Sequence, residues 1–464
     1  MLKKEEPYQT EWEWVTVESL VPGDHLLRKI DLCIDFGFIR ERVAHLYCED
    51  NGRPALDPTL LFKALFIGYL FGIRSERALM REIEVNVAYR WFLGLGLTDK
   101  VPDASTISQN RRRRFNGSGI HQEIFDEIVL QALNAGLVDG HVIYTDSTHL
   151  KANANEQKFN LVMVERSRAA YWDDLDQDIE ADRLAHGKEP ASAKPRQPKA
   201  KETRISRTDP ESGFMARKRK PRGFYYLDHR SVDAAYSIIT DTHVTPGNVH
   251  DTYPYLERLD RQRERFGFDV YAVGLDAGYA TTSIAKGLED RDIMGVTGYL
   301  RPTPSRTSVP KKEFQYDAGL DTYRCPEDHD LKYARTDKEG YRHYKSDPKV
   351  CAGCALRESC LGKTTKVKTV VRHIWQESRE RTDRHRLTPW GKKIYARRKE
   401  TVERSFADAK QLHGHRYARM RGIVKVREQC LLAAAAQNMK KISMLLAPCR
   451  LLTPSGMQAT PQAA

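Results

Sequence analysis

Between residues 251 and 298 the sequence alternates between helical and strand patterns, and this alternation constrains the fold more than any other feature. A helical pattern over about 252–265 precedes a β-rich run at 269–275, and another over about 281–290 precedes a run at 293–298. Strands that are joined through helices pair in parallel, so we expect two parallel strands here. Three earlier β-rich runs predict an antiparallel meander over 141–146, about 223–230 and about 233–244. Together they predict an α/β core with a mixed sheet.

Residues 17–136 carry helical patterns and predict an all-helical region in front of this sheet. Asp57 followed by Pro58 combines an N-cap residue with a proline at the first helical position, and it predicts the start of an apolar helix. Ser75 and Asp103 are expected to cap two further helices. Three such caps favour a compact helical array.

The chain carries a surplus of positive charge. Of its 464 residues, 76 are Lys or Arg and 63 are Asp or Glu, which gives a formal net charge of +13. This surplus favours a polyanionic partner, although solubilising charge would give the same total. Two stretches concentrate it: four consecutive arginines, and residues 188–222 with 12 Lys or Arg against four acidic residues. We predict that 188–222 is a flexible or extended basic loop and that phosphates contact Arg111, Arg112, Arg113 and Arg114, the alternative being a solvated face.

The sequence shows no membrane or export signal. The N-terminal residues lack the apolar region of a secretory signal. The longest apolar stretch, which starts at Leu60, is too short to span a bilayer and contains Lys63. We therefore expect a soluble, cytoplasmic protein with no membrane partner.

Two of the predicted strands end on an aspartate. Asp146 follows the run VIYT, and Asp276 follows YAVGL. If the strand before Asp276 returns parallel and adjacent to the first strand, both carboxylates lie at one pole of the sheet, roughly 5 Å apart at the backbone. Open α/β sheets carry their sites at this pole. Asp241 ends the third strand, two strands away, and is less favoured; Ser147 and Thr148 are expected to satisfy backbone groups, which is also the alternative role for the aspartates.

A third carboxylate lies on a helix predicted over about 392–412. Glu403, Phe406 and Lys410 are spaced at i, i+3 and i+7, so they share one face of this helix. That face would carry an acid, a packing residue and a cation. Taken alone, the pattern is also that of a packed helix with a surface ion pair.

Several motifs occur in a fixed order along the chain: YTDST, VTPGNVHD, LDAGY, and VERSFADAK followed by HGHRYARMRG. In this order they resemble the DDE transposases of bacterial insertion sequences. The N-terminal motifs DPTLLFKALFIGYLFGIRSERALMREI and PDASTIS resemble the same family, so the similarity covers about residues 20–445. The resemblance implies an RNase H-like core behind an all-helical N-terminal domain, with Asp146, Asp276 and Glu403 as catalytic acids.

The family's signature around its glutamate is Tyr, two residues, Arg, three residues, Glu, six residues, Lys. Glu403 and Lys410 keep this spacing, whereas Tyr395 and Arg398 keep their mutual step but stand one residue too far from Glu403. Lys399 occupies the expected arginine position. The resemblance implies that Tyr395, Arg398 and Lys410 bind DNA beside the acids.

The resemblance also implies a reaction and its partners. The three acids would hold Mg²⁺ or Mn²⁺, two ions per site, which suits an in-line displacement at phosphorus. Water would cut transposon ends, and the freed 3′-hydroxyl would attack target DNA. The partners would be double-stranded DNA, both terminal inverted repeats and target, with a homodimer on the DNA and an association with the nucleoid.

Four of the eight cysteines cluster in one stretch. Cys325, Cys351, Cys354 and Cys360 include one CxxC pair, which predicts a structural zinc site; His329 could replace one cysteine, and incidental thiols are the alternative. The resemblance to the family, many of whose members carry an insertion before the glutamate, implies a small zinc-ribbon-like module there. The other cysteines lie among apolar residues and are expected to be buried packing thiols: Cys33, Cys48, Cys430 and Cys449.

Two alternatives stand beside a transposase. A stand-alone RNase H-like nuclease would need neither the helical block nor the long interruption. A zinc-bearing, non-catalytic DNA-binding regulator would explain the charge and the cysteines but leaves the three acids unexplained. The predicted domains are an N-terminal helical DNA-binding domain, the first part of the core, a cysteine-containing insertion, the second part of the core and a disordered tail: 1–136, 137–300, 301–385, 386–447 and 448–464.

Overall fold

The computed structural model describes residues 12–48, 55–165, 171–190, 200–216, 222–299 and 309–452. Its N-terminal region is helical, as predicted, and consists of α1 (Val17–Leu20), α2 (Leu26–Cys33), α3 (Phe38–Val43), α4 (Pro58–Leu70), α5 (Glu76–Val85), α6 (Val87–Phe92), α7 (Ala104–Asn110) and α8 (Ile120–Asn134).

The three predicted helix caps are confirmed. The side chain of Asp57 accepts a hydrogen bond from the backbone N–H of Thr59, and Pro58 opens α4. Ser75 caps α5 and Asp103 caps α7 in the same way. These side chains satisfy N–H groups that have no partner inside the first turn of a helix.

The central region combines eight strands with three helices: β1 (Val142–Lys151), β2 (Phe159–Glu165), α9 (Tyr171–Ala185), β3 (Ala200–Ser206), β4 (Gly213–Met215), β5 (Gly223–Asp233), β6 (Ile239–Pro246), α10 (Tyr255–Phe266), β7 (Ala272–Leu275), α11 (Thr282–Glu289) and β8 (Met294–Thr297). Six of the strands form one sheet in the order β4-β5-β1-β7-β8, with β6 also paired to β5.

The pairing within this sheet follows the sequence prediction. The first three predicted strands, β1, β5 and β6, are antiparallel neighbours, and β7 is parallel to both β1 and β8. Gly274 on β7 lies opposite Tyr144 on β1, and a Cβ on Gly274 would lie 2.5 Å from the Tyr144 ring. Glycine at this position therefore lets the tyrosine pack across the sheet.

The first strand does not end at Asp146, contrary to the prediction. Its parallel pairing with β7 stops at Thr145, whereas its antiparallel pairing with β5 continues to Lys151. Asp146 is thus the first residue of β1 beyond its last partner on β7. The longer strand results from the length of β5, which the β1 sequence does not reveal.

The basic stretch 188–222 is only partly a loop. Within it, β3 pairs antiparallel with β2 in a separate two-stranded sheet, and β4 pairs with β5. The prediction of an extended or flexible loop is therefore wrong for these strands, because each finds a pairing partner distant in sequence. The remaining parts at 191–199 and 217–221 lie outside the described residues.

The cysteine-containing stretch forms a five-stranded antiparallel sheet in the order β13-β12-β11-β10-β9. It has its own apolar cluster, which includes Tyr323, Leu331 and Tyr344. Its elements are β9 (Gln315–Asp317), β10 (Thr322–Arg324), β11 (Asp330–Thr336), β12 (Tyr341–Lys345), α12 (Pro348–Ala352), α13 (Arg357–Cys360) and β13 (Thr369–His373).

Four helices complete the described chain: α14 (Gln376–Leu387), α15 (Pro389–Arg397), α16 (Val402–Leu412) and α17 (Ile423–Leu452). α14 packs against β8 and α11, while α17 packs against α2, α4, α8 and β6. Buried residues of the N-terminal helices, the six-stranded sheet and α17 form one continuous apolar cluster. Among the described residues, no helix has the length and apolarity needed to cross a membrane.

The helix predicted over 392–412 is two helices, so that prediction is wrong. The chain leaves the helical conformation at Thr401, which has φ −103° and ψ −96°, before α16 begins. The predicted apolar helix over about 424–446 is present as α17. The predicted disordered tail lies mostly outside the described residues.

Candidate active site

Asp146 occupies a largely buried position on β1. Its Oδ1 accepts a hydrogen bond of 2.8 Å from the Ser147 N–H, and its Oδ2 accepts one of 2.8 Å from Arg398 Nη2. Burial raises the pKa of Asp146 to about 6, while Arg398 opposes this rise and Asp276 adds to it. Because burial makes this carboxyl group costly to ionise, its charged form needs a nearby cation, which here is Arg398.

Asp276 lies next to Asp146 across the parallel pair. The register joins Thr145 to Leu275, so the two aspartates are the next residues on adjacent strands. Asp276 Oδ1 accepts a hydrogen bond of 2.8 Å from the Gly278 N–H and caps a short 3-10 turn. The structure therefore brings the two aspartates to one pole of the sheet.

Glu403 reaches the same pole through Arg398. Arg398 lies in the break between α15 and α16 and is 4% exposed. Its Nη1 lies 3.5 Å from Glu403 Oε1, while its Nη2 binds Asp146. One guanidinium thus bridges an acid on the sheet and an acid on α16.

This acidic pole, defined as Asp146, Asp276 and Glu403, has the donor set that a hard divalent cation prefers. The guanidinium of Arg398 already supplies positive charge between two of its members. The ligand atoms of these three acids do not all lie within 4.8 Å of one another. Among the described residues, a different cluster meets that condition. The acids therefore fit a metal by chemistry, but at least one of them must move for all three to share one ion.

Two protein families match the chain. Residues 15–113 match the family described as "Transposase domain (DUF772)", and residues 324–443 match the family described as "Transposase DDE domain". The chain contains a transposase DDE domain. It is therefore a DNA transposase, and its family implies dependence on a divalent metal ion. The second match contains Glu403, whereas the two aspartates lie outside both matched ranges.

Solved transposase structures resemble this transposase only weakly. A piggyBac transposase synaptic complex with hairpin DNA is 11% identical over 93% of this chain and 82% of that chain, with a TM-score of 0.32. A Mos1 transposase paired-end complex with the left transposon end is 12% identical over 54% of this chain and 61% of that chain, with a TM-score of 0.16. No curated protein matches the sequence.

Two further residues predicted around the glutamate, Tyr395 and Lys410, lie near the acidic pole. The Tyr395 ring lies 5.6 Å from the guanidinium carbon of Arg398. Lys410 is on α16 with Glu403, and burial together with the neighbouring Arg416 and Arg230 lowers its pKa. Tyr395 is therefore next to the arginine that binds Asp146, and Lys410 is on the helix that carries the third acid of this transposase.

The cluster of potential ligands within 4.8 Å of one another is Asp228, His415 and Cys430, and all three are buried. Asp228 Oδ2 accepts hydrogen bonds of 2.9 Å from both His415 Nε2 and Arg230 Nε. Although burial opposes ionisation, Arg230 and His415 hold the pKa of Asp228 below its usual range. This carboxylate is already satisfied by a cation, so the cluster is an ion-pair network rather than a metal site.

That network supports the helix that carries Glu403. Arg230 Nη1 donates hydrogen bonds to Ser405 Oγ at 3.2 Å and to Gln437 Oε1 at 3.0 Å, and its guanidinium lies 5.0 Å from the Phe406 ring. Ser405 and Phe406 belong to α16. The position of Glu403 therefore depends on a buried arginine that the sequence analysis did not single out.

Asp241, the less favoured candidate for the site, forms an ion pair inside the protein. Arg258, which is 1% exposed, donates a hydrogen bond of 2.7 Å from Nε to Asp241 Oδ2. β6 lies two strands from β1, as expected. Asp241 is thus bound to a buried arginine away from the acidic pole.

The sequence analysis missed two other residues near the acids. Tyr279 is 1% exposed, and its hydroxyl has no hydrogen-bond partner in the described part of the transposase. Burial, Asp251, Asp146 and Asp276 all raise its pKa. Asp251 also adds to the rise in the pKa of Asp146. The motif VTPGNVHD, which ends on Asp251, was the sequence signal for this residue. Since β6 runs in the same direction as β1, the C-terminal end of β6 faces the pole that carries the acids.

The four consecutive arginines do not share one environment. They lie in a π-helical turn, Arg111–Phe115. Arg111 pairs with Glu76 and is mostly buried. Arg114 donates to Asn110 Oδ1 at 2.7 Å, and its guanidinium lies 4.3 Å from the Tyr47 ring. Arg112 and Arg113 are exposed, so only half of the run is open to phosphate.

The cysteine cluster surrounds one cavity of about 220 Å³, lined by Cys325, Cys351, Cys354 and Cys360. Burial raises the pKa of Cys360, Lys368 opposes this rise, and the other three thiols add to it. Within the described chain no three of these sulfurs lie within 4.8 Å of one another. Four thiols facing one cavity fit a zinc ion by donor type, and binding would draw them together.

The remaining cysteines differ in their exposure to solvent. Cys33 and Cys430 are buried, as predicted, but Cys48 is exposed. The prediction fails for Cys48 because it follows a short 3-10 turn at the surface, where neighbouring apolar residues do not cover it. The side chain of Cys449 lies outside the described residues.

Proposed function

We propose that this transposase cuts the ends of its transposon and joins the freed 3′-hydroxyl ends to target DNA at the acidic pole. One observation carries the proposal: Asp146 and Asp276 follow paired residues on adjacent parallel strands, and Arg398 connects Asp146 to Glu403. The catalytic core is RNase H-like on this proposal. The three antiparallel strands followed by two parallel ones support that assignment.

Asp146, Asp276 and Glu403 would hold Mg²⁺ or Mn²⁺, two ions per site. When bound, such ions supply Lewis-acid activation of the attacking oxygen and stabilise the leaving oxygen of an in-line displacement. The chain's own contribution is to hold three carboxylates at one pole and to keep Asp146 away from bulk water. Each reaction breaks one phosphodiester bond: water attacks in the first, and a 3′-hydroxyl attacks in the second.

Arg398 would change partners when DNA and metal bind. Its two present partners are the carboxylates that the metal needs. Released from them, its guanidinium is suited to a phosphate oxygen, because arginine binds phosphate and carboxylate with the same fork of donors. Tyr395 and Lys410 would contact the same strand. The double-stranded partners are the terminal inverted repeats and the target DNA, bound by a homodimer.

The direct test is a joining assay. The protein is incubated with Mg²⁺ or Mn²⁺, a plasmid that carries the inverted repeats flanking its coding sequence, and a second plasmid as target. We expect 3′-end cleavage and covalent joining from the wild type, and neither from Asp146→Asn, Asp276→Asn or Glu403→Gln. Glu400→Gln, an exposed acid in the neighbouring break, is the matched control and should remain active.

Two outcomes would redirect the proposal. Cleavage without any joining would favour an RNase H-like nuclease. Activity retained by any one of the three variants would remove that residue from the site.

We further propose that the cysteine cluster holds one structural zinc ion. The support is that all four cysteines line one cavity in a sheet with its own core. Four thiolates leave no open position for water, so the ion would stabilise the insertion rather than react. Metal analysis should find about one zinc per chain, lost on Cys351→Ser with Cys354→Ser and retained on Cys48→Ser. A wild-type protein free of zinc would contradict this.

A further inference from the structure

A large groove separates the N-terminal helices from the segment that follows α16. Its volume is about 1540 Å³, and α5, α7 and residues 419–425 contribute to its walls. Nine Lys or Arg and four Asp or Glu line it. We call it the basic groove, and its exposed cations include Arg77, Arg81, Lys100, Arg112 and Lys425.

Most of the negative charge in the basic groove is already engaged. Asp103 accepts a hydrogen bond of 2.7 Å from the Ser105 N–H, and Asp99 accepts one of 2.7 Å from the Gly96 N–H. Glu76 pairs with Arg111. The hydrogen bonds from Ser105, together with nearby Arg77 and Lys100, lower the pKa of Asp103. Four acids cannot neutralise nine cations, so the groove keeps a net positive charge.

Three of the exposed cations form no ion pair in the part of the chain that the structure describes. Within the described chain, Arg77, Arg81 and Arg112 make no ion pair with a carboxylate. Two further groove arginines lie against aromatic rings rather than acids: Arg419 lies 4.1 Å from the Tyr69 ring, and Arg74 lies 5.5 Å from the Tyr417 ring. Such side chains retain their full charge for an external anion.

The basic groove is continuous with the strand that carries Asp146. The Lys151 N–H donates a hydrogen bond of 3.2 Å to the Arg416 carbonyl, and the Ala418 N–H donates one of 2.8 Å to the Lys151 carbonyl. The segment that pairs with the end of β1 thus leads directly into residues 419–425 of the groove wall. A linear polyanion lying in the groove would be directed along this segment toward the acids.

We propose that the basic groove holds the phosphate backbone of a DNA duplex whose end extends to the acidic pole. This rests on the proposed function for the identity of the polymer. Recognition is electrostatic and independent of base sequence, because lysine and arginine here meet phosphates rather than base edges. Both the N-terminal helices and the segment after α16 contact the same stretch of duplex.

The test measures binding of a random-sequence DNA duplex by the full chain in EDTA, at several salt concentrations. In the triple variant Arg77→Ala, Arg81→Ala and Arg112→Ala we expect the slope of log affinity against log salt to fall by about 2 to 3, since each phosphate contact contributes about 0.9. At 0.1 M salt, affinity should fall on the order of 10²-fold. Thermal unfolding should stay close to that of the wild type, because these side chains are exposed and form no ion pair in the described chain.

The matched control is Arg40→Ala. Arg112 and Arg40 both lie in the N-terminal helical region and both are exposed, but only Arg112 lines the groove. Arg112→Ala alone should lower the slope by about 0.9 and Arg40→Ala should leave it unchanged. Equal effects of the two variants, or a wild-type slope in the triple variant, would overturn the proposal.

Two further comparisons distinguish this inference from an RNA-binding groove and from the catalytic proposal. Duplex RNA binding tighter than duplex DNA, with the same loss in the triple variant, would assign the groove to RNA and overturn the DNA assignment. Because the assay contains no metal, it does not depend on the acids. Failure of the catalytic proposal appears as activity in the Asp146→Asn variant, and failure of the groove appears as an unchanged salt slope.

Discussion

The acidic pole and the basic groove use arginine in opposite ways. At the pole, Arg398 is 4% exposed and contacts two carboxylates, so its charge is spent on holding the protein's own acids. In the groove, Arg112 is exposed and has no acidic partner within the described chain. A buried arginine gives up its carboxylate only when another cation takes its place, because separating the pair costs several kcal/mol, whereas an exposed arginine can exchange partners at little cost.

The largest expected effect lies at the pole. Asp146→Asn and Asp276→Asn should each lower DNA cleavage by at least roughly 10³-fold, and the double variant should be no worse than either single one. The reason is that carboxylates that act as a unit lose their function together. Initial cleavage rates with Mg²⁺ measure this, and losses that multiply would show that the two act independently.

A buried arginine beneath α16 should produce the largest loss of stability. Arg230→Met leaves Asp228 and His415 without their cation and should lower the free energy of unfolding by about 3–5 kcal/mol. Arg404→Ala, which breaks an exposed pair with Asp408 on the same helix, should cost about 0.3–0.5 kcal/mol. Denaturant unfolding gives both values, and similar costs would contradict the contrast between buried and exposed arginines.

Glu428, which lies 4.0 Å from Arg111, should make the stability of the protein depend on pH. Burial raises the pKa of Glu428 to about 7, and Arg111 opposes this rise. In the unfolded chain a glutamate titrates near 4.3, so its contribution to stability is complete below about pH 4.3 and is lost as the pH rises to about 7. Since one pKa unit corresponds to about 1.4 kcal/mol, the full loss is roughly 3–4 kcal/mol. Glu428→Gln should flatten the pH profile in this window, and an unchanged profile would contradict the raised pKa.

The smallest effect separates two adjacent arginines. Arg111→Ala should cost about 1–3 kcal/mol of stability, since Glu76 loses its partner, and should leave the salt dependence of DNA binding unchanged. Arg112→Ala should leave stability within about 0.5 kcal/mol and should change DNA binding. Paired thermal unfolding and binding measurements decide this, and the reverse outcome would interchange the two roles.

Local signals were enough to predict much of this fold. The caps at Asp57, Ser75 and Asp103 depend on a side chain and an N–H two or three residues away, so the sequence contains the whole interaction. The adjacency of Asp146 and Asp276 followed from the rule that helix-connected strands run parallel. The placement of both aspartates was therefore predictable without knowledge of any distant contact.

Features that depend on distant partners could not be predicted in this way. Nothing in YARRKETVERS marks a helix break, since it contains neither glycine nor proline. The break at Arg398 accompanies a contact with Asp146, 252 residues away. The difference between Arg111 and Arg112 likewise depends on Glu76. The sequence identified the four arginines but could not show which of them are paired and which are exposed.

The break between α15 and α16 also bears on how this family can change during evolution. Inside a continuous helix, one inserted residue would rotate Arg398 by about 100° away from Glu403. Here the chain leaves the helical conformation at Thr401, between Arg398 and Glu403, so the turn absorbs one extra residue at this place. A search that requires fixed spacing would overlook such chains, whereas a search for the arginine that bridges two acids would find them.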